Sequence, residues 1–426
     1  MLPLGRSVSL EAALEDDDNI LLRLDYPQKQ KDFWSHLNSL KADIEATVAF
    51  HRRARRCQVA DEGDWMCGSY NVCIPLSIDP PSDHRVLIRI PLPFKIGEEN
   101  NAGNVEENYG AKWRLIFGFT KIARLSLSLR FTGSLSPMEG LYVSLDLAPN
   151  IQLNMFRTTV CASILCISFF SITLAHNINA TFLVWFSKNV PVYWPEAPDP
   201  FETGYMIISF VRNGRMLSDS WGTLLEETTR RQNLVSDLAK IILSLSHIPL
   251  PRIGSLTLKN DGLISLTNRP LTPRLQTFEN EGIPTIPRDS TYPAVEPYVL
   301  DLLQCHDNRI YHQPNAIHDL HDGQKQLAAL TMMRGLLHQF TSRQHHYSPF
   351  VLTLTDLHPS NIFVDEDWHI TSLIDLEWAC LFPIELQIPP YWLTGRSVDD
   401  IEHGPNLQTF DTIINEYMDA FEKEEN

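Results

Sequence analysis

The sequence has no CxxC pair and no cysteine–histidine spacing of the kind that holds zinc, although it carries seven cysteines: Cys57, Cys67, Cys73, Cys161, Cys166, Cys305 and Cys380. An odd count without such spacings argues against a disulfide framework, and a reducing, cytoplasmic location is expected. Basic residues are outnumbered, 35 Lys and Arg against 52 Asp and Glu, which gives a net charge of −17. General binding of a nucleic-acid backbone needs clustered cations, so no nucleic-acid partner is expected, whereas a cationic or metal-phosphate ligand is compatible. The first residues, MLPLGRSVSLEAALEDDDN, lack a positively charged start followed by an apolar stretch, so no secretory leader is expected. Long apolar runs are also missing. The nearest, Val160 to Ala175 (VCASILCISFFSITLA), is uncharged over sixteen residues but includes Ser163, Ser168, Ser171 and Thr173. It falls short of the roughly 20 apolar residues needed to cross a bilayer, so a buried helix or strand pair is expected there, with membrane association as the minor alternative. The sequon Asn179-Ala180-Thr181 matters only in a secreted chain.

What is present suffices for a large core. Of 426 residues, 43% are hydrophobic and 10% aromatic, which allows two or three domains of about 150 residues or one two-lobed enzyme. Residues 1–60 read as a helical extension, because Phe33, Trp34, Leu37, Leu40, Ile44 and Val48 recur at three- and four-residue spacing. It ends in the basic stretch Arg52 to Arg56, read as a solvated helix end. From Cys67 the period changes to two: GSYNVCIPLSI and RVLIRIPLP, separated by DPPSDH, predict a hairpin. Gly68-Ser69-Tyr70-Asn71 opens its first strand with small residues that would let backbone N–H groups approach a phosphate. GNVEENYGAKWRLIF has helical character. The chain then shows no clear period until the strand pattern Gly204 to Val211. A helix is predicted from about Arg230 to Ser246, a hairpin across SLTLKNDGLISLT, and further helices in TYPAVEPYVLDLLQCHD and GQKQLAALTMMRGLLHQFT.

The chemistry concentrates between Phe350 and Pro390. A strand VLTLT leads into Asp356, Asn361 stands five residues on, and a second strand pair turned at Asp365-Glu366-Asp367 delivers Asp375. Three oxygen-bearing side chains thus fall at strand ends. Phosphoryl transfer asks a protein for this set: one carboxylate to accept the acceptor hydroxyl's proton, and an Asn plus a second Asp to hold magnesium against the phosphates. By that logic Asp356 is the base, with Asn361 and Asp375 the metal ligands. The competing structural reading is that Asp356 caps a turn and Asn361 satisfies loop carbonyls. His306, Asp307, His312, His318 and His321 fit no zinc spacing. Trp378, Tyr391 and Trp392 suit either packing or a cationic-substrate pocket.

The segment resembles the aminoglycoside phosphotransferase and choline-kinase-like family, in particular its large fungal branch. TDLHPSNIFVD looks like the family's catalytic loop and IDLEWA like its metal-binding loop, and PPYWLT continues the pattern. GYMIISF, GRMLSDSW, PLPRIGSLT, LTNRPL, YVLDLLQCHDNRIYHQPN and QLAALTMMR match as well, near-continuously from Gly204 to about Ile401 and more patchily over Gly68 to Trp113. The resemblance implies an α+β, two-lobed protein-kinase-like fold. It divides the chain into the helical extension 1–60, an N-lobe 61–211 with an apolar insert at 114–195, and a C-lobe 212–426. It implies ATP and Mg2+ as cofactors and a small-molecule hydroxyl as acceptor. It implies Asp356 as catalytic base and Asn361 and Asp375 as metal ligands. It further implies Gly68, Ser69 and Asn71 as the nucleotide loop, Arg89 as the cation for the α- and β-phosphates, and Ser209, Phe210 and Val211 as the hinge that receives adenine.

Three departures from the family pattern motivate an alternative. Leu354 stands where many relatives have a His two residues before the base. Lys112 falls where a helix Glu would pair with Arg89, with Glu106 or Glu107 as substitutes if the register shifts. Arg114 to Phe119 follows that helix without the usual connection. A catalytically impaired pseudokinase, acting as a nucleotide-binding or interaction module, is the second expectation.

Overall fold

The computed structural model describes residues 19–81, 84–105, 107, 204–211, 214–223, 227–247, 250–258, 264–347, 349–396, 399–401 and 404–425. The expectations for residues 1–18, for the insert 114–195 with its run Val160 to Ala175, and for Glu106 and Lys112 lie outside these residues.

Two helices, α1 (Ile20–Ser39) and α2 (Lys41–Arg52), precede the strands β1 (Cys57–Val59), β2 (Met66–Cys67), β3 (Asn71–Ile78), β4 (Arg85–Pro91) and β5 (Met206–Ser209). These strands form one antiparallel sheet in the order β1-β3-β4-β5, with β2 also on β3. The period of two decides what each face does. Val72, Ile74, Leu76 and Ile78 of β3 and Val86, Ile88 and Ile90 of β4 are buried in one core with Leu37, Ile44 and Val48 of the helices. Alternate positions point the other way, so Arg89, paired in register with Cys73, is turned from the helices toward the C-terminal half. The expected hairpin is present. β5 is shorter than the expected strand: only Met206–Ser209 pair with β4, and Phe210 and Val211 follow it.

After the short β6 (Arg215–Met216), helix α3 (Thr228–Ser246) precedes the hairpin β7 (Ser255–Leu258) and β8 (Ile264–Asn268). Then come α4 (Pro273–Asn280), α5 (Val295–His312), α6 (Leu320–Phe340), β9 (Phe350–Leu354), β10 (Ile362–Val364), β11 (Ile370–Leu373), β12 (Ala379–Pro383) and α7 (Pro405–Glu425). The whole is an α+β arrangement in which every described pairing of strands is antiparallel. The apolar face of α3 lies inward: Leu234, Val235 and Leu238 pack with Ile362, Val364, Trp368 and Leu373 of the β10–β11 hairpin and with Ile413 and Tyr417 of α7. Buried Arg231 pairs at 2.8 Å with the half-buried Glu416 and joins α3 to α7. Among the described residues no helix is long and apolar enough to cross a membrane.

The segment after β4 is pinned to α4. Gly97 has φ +72°, and a Cβ there would stand 2.7 Å from the backbone N of Asn280, so the close approach requires glycine. Asn100 Nδ2 donates to the Asn280 carbonyl at 3.0 Å and Asn101 Nδ2 to that of Glu279 at 3.1 Å. Deeper in, Arg269 is fully buried and forks onto two carboxylates, with Nη2 2.7 Å from Glu107 Oε2 and its other side on Glu279. Arg288 Nε reaches Glu107 at 3.1 Å as well. Glu107 is therefore committed to Arg269 and Arg288, which corrects the expectation of Glu107 as a partner for Arg89. Removing one partner of such a node leaves buried charge uncompensated. Arg269→Met should cost about 3–5 kcal/mol in urea unfolding. A loss below about 1 kcal/mol, the level of an exposed pair, would contradict this account of the node.

Candidate active site

The order of strands brings the predicted residues together. β9 pairs with β12, Leu354 opposite Ala379, so the chain leaving β9 and the chain entering β12 run side by side. Thr355 Oγ1 donates to the Trp378 carbonyl at 2.5 Å, locking the two exits to each other. Asp356 follows, and a single 3-10 turn, Pro359–Asn361, brings Asn361 back to it. The Asn361 amide donates to the Asp356 carbonyl at 2.8 Å and to Asp356 Oδ2 at 3.1 Å. Asn361 O in turn accepts from Ile374 N at 3.0 Å, which ties the catalytic-loop candidate to the residue before Asp375. The loop is thus organised by Asn361, with Leu354 held in β9 opposite Ala379.

Asp375 leaves β11 in the left-handed region, φ 57° and ψ 47°, a conformation Asp tolerates better than most residues. This bend starts a 3-10 turn, Leu376–Trp378, that presents Asp375 and Glu377 to the same neighbour. That neighbour is Arg89. Its Nη1 contacts Asp375 Oδ1, and its Nη2 lies 2.7 Å from Glu377 Oε1. Arg89, Asp356, Asn361 and Asp375 therefore share one locality. Glu377, which the sequence reading passed over, joins them. Its only signal was a carboxylate inside the apolar stretch Leu376 to Leu381, where a charge must find a partner.

Burial is the largest influence on Asp356, and the negative charges of Glu377 and Asp375 add to it. The Asn361 hydrogen bond and Arg89 oppose them, but the carboxyl is still pushed up to about 7. His358, 3.7 Å from Asp356 Oδ1, has its proton affinity lowered by burial, with Asp375 acting against that. For Arg89, burial disfavours the charged form, yet Glu377 and Asp375 outweigh it and the guanidinium holds its proton more tightly than usual.

The remaining predicted residues lie along the sheet. Gly68 and Ser69 are exposed at the β2–β3 turn, where Gly68 N donates to the Asn71 carbonyl at 2.8 Å, so that amide is spent on closing the hairpin. Asn71 is buried at the start of β3, opposite Pro91. Tyr70, between them, reaches across to Trp378, ring centroids 5.1 Å apart, and its hydroxyl lies 3.1 Å from Thr277 Oγ1. Ser209 pairs with Val86, three residues along β4 from Arg89, or about 10 Å at a strand's rise. Phe210 receives the Arg85 guanidinium over its ring at 5.1 Å. Trp378 is buried and Trp392 packs on Trp221 at 5.4 Å, so both act as packing residues, while Tyr391 is exposed.

Asp356, Asn361 and Asp375 offer only oxygen-bearing side chains, the donor type a hard divalent cation prefers, and Asp375 keeps 30% of its side chain exposed. Among the described residues no three His, Cys, Asp or Glu side chains are grouped to hold a metal. No protein-family model matches the chain, and no curated protein matches it.

A carboxyl raised in the native state stays protonated there while its unfolded counterpart, ordinarily near 3.8, ionises. Folding then takes up a proton between pH 4 and 7, and stability declines as pH rises through that window. Urea unfolding at pH 5 and pH 8 should show wild type losing more stability than Asp356→Asn over this interval. Equal losses would contradict the raised proton affinity.

Proposed function

We propose that the chain is an ATP- and magnesium-dependent phosphotransferase with a two-lobed, kinase-like fold, acting on a hydroxyl of a small molecule. The observation that carries this reading is the meeting of Asp356, Asn361 and Asp375 beside the buried cation Arg89. The sheet β1–β5, which begins at Cys57 and so takes in the end of the stretch 1–60 read as a helical extension, corresponds to the smaller lobe, and residues 212–426 to the larger. In this reading Asp356 accepts the acceptor hydroxyl's proton, and Asn361 holds it in place through its amide. Asn361 Oδ1 and Asp375 are the atoms toward a magnesium ion, which when bound neutralises charge on the transferring phosphoryl group. Arg89 supplies a fixed positive charge for the α- and β-phosphates. The distance of about 10 Å along β4 between Arg89 and the Ser209 pairing suits an extended nucleotide whose base lies at Ser209 to Val211.

The raised proton affinity of Asp356 fits a general base working near neutral pH, since the best catalytic groups titrate close to the operating pH. A second reading, the impaired pseudokinase, is supported by Arg89 holding two carboxylates at once, which leaves the guanidinium occupied as it stands.

Two measurements separate these readings. Purified protein should gain thermal stability with Mg–ATP and lose that gain on chelation of the metal, because a ligand bound to the native state alone stabilises it. Phosphotransfer or ATP hydrolysis should fall about 10²–10⁴-fold in Asp356→Ala, the usual worth of a positioned general base. A thermal shift with equal turnover in both proteins would favour the pseudokinase. No shift at all, with intact folding, would remove nucleotide binding altogether.

A further inference from the structure

Arg89 lies on a sheet strand, 7% exposed, and a guanidinium so placed points where its partners hold it. The helix carboxylate expected for that task is not supplied by Glu107, which is spent on Arg269 and Arg288. Instead both terminal nitrogens of Arg89 reach over to the turn after β11. The two carboxylates there differ. Asp375 retains 30% side-chain exposure, whereas Glu377 retains 3%. Asp375 is also the residue that a bound divalent cation would draw away. Once its oxygen turns to a metal, the contact left to Arg89 on this turn is the one with Glu377.

The position of Glu377 is fixed by the two residues that follow it. Trp378, next in the chain, is buried against Tyr70, and Ala379 enters β12 in register with Leu354, two residues before Asp356. The turn carrying Glu377 is therefore held against the loop carrying Asp356, and whatever Glu377 aims is aimed at that loop.

We propose that Glu377 is a positioning residue for Arg89, keeping the guanidinium directed at the α- and β-phosphates of a nucleoside triphosphate while Asp375 is released to the metal. This rests on the phosphotransferase reading and adds the residue that keeps its phosphate-binding cation in place. Glu377 touches neither nucleotide nor metal in this scheme, and its effect passes wholly through Arg89. A two-pronged charge-assisted contact fixes direction as well as energy, and only one prong has to be given up on ligand binding.

The test is calorimetric titration of the full-length protein with Mg–ATP in wild type, Glu377→Gln, Arg89→Gln and the double variant. If Glu377 acts through Arg89, each single variant raises the Kd about 10- to 100-fold, the range found when the partner that orients a binding group is removed. The double variant then matches Arg89→Gln alone. An unchanged Kd in Glu377→Gln, or a double variant weaker by the product of the two single effects, overturns the proposal. Should Glu377→Gln not fold, Glu377→Asp, which keeps the charge and shortens the reach, takes its place: a raised Kd supports the proposal, and an unchanged Kd overturns it. A wild type that does not bind Mg–ATP sinks the phosphotransferase reading itself, an outcome distinct from binding that is indifferent to Glu377.

Discussion

The contact between Arg89 and the carboxylates of Asp375 and Glu377 joins segments 286 and 288 positions apart and sets how the N-terminal sheet faces the C-terminal loops. Its strength comes from burial as much as from charge. A guanidinium inside the protein without a partner is costly, and so is a carboxylate. Each member of the trio is therefore needed by the others. Around it stand contacts that cannot slide: Tyr70 against Trp378, Gly97 against Asn280, and the Arg269 node beneath. The first holds the start of β3 against the turn that follows β11, and the other two hold the segment after β4 against α4 and the end of β8.

This placement leaves the locality short of positive charge. Among the described residues Asp356, Asp375 and Glu377 lie near the buried cation Arg89, and the two neighbouring negative charges add to burial, the larger cause, in pushing Asp356 up to about 7. On the proposed phosphotransferase reading, a divalent cation bearing phosphate would relieve the mutual repulsion of the carboxylates and free Asp356 to ionise. An arginine bound to two acids and an aspartate with a high proton affinity both follow from carboxylates buried close together.

Local signals were legible wherever short-range pattern and fold agreed. The alternation NVCIPLSI and VLIRI gave the β3–β4 hairpin, the helical spacing after Arg230 gave α3, and the strand–turn–strand pattern around Asp365 gave the loops that deliver Asp356, Asn361 and Asp375. Long-range partners were not legible. Nothing in the spacing near Glu107 announces Arg269, more than 160 positions away, and the pairing of Glu377 with Arg89 depends on a left-handed bend at Asp375 that no propensity scale foretells. The helices α4 and α7 were also missed. Pro273 at the start of α4 reads as a turn signal until Thr272 is seen to cap the helix through Leu275 N, and α7 carries its stripe among many acidic and amide side chains.

The most direct test of the account is a crystal structure of the full-length protein with magnesium and a non-hydrolysable ATP analogue. The account predicts a cation held by Asn361 Oδ1 and Asp375, Arg89 on the α- and β-phosphates with Glu377 still behind it, and Asp356 facing the terminal phosphoryl group. A nucleotide bound elsewhere, with Arg89 still closed on both Asp375 and Glu377, would contradict it.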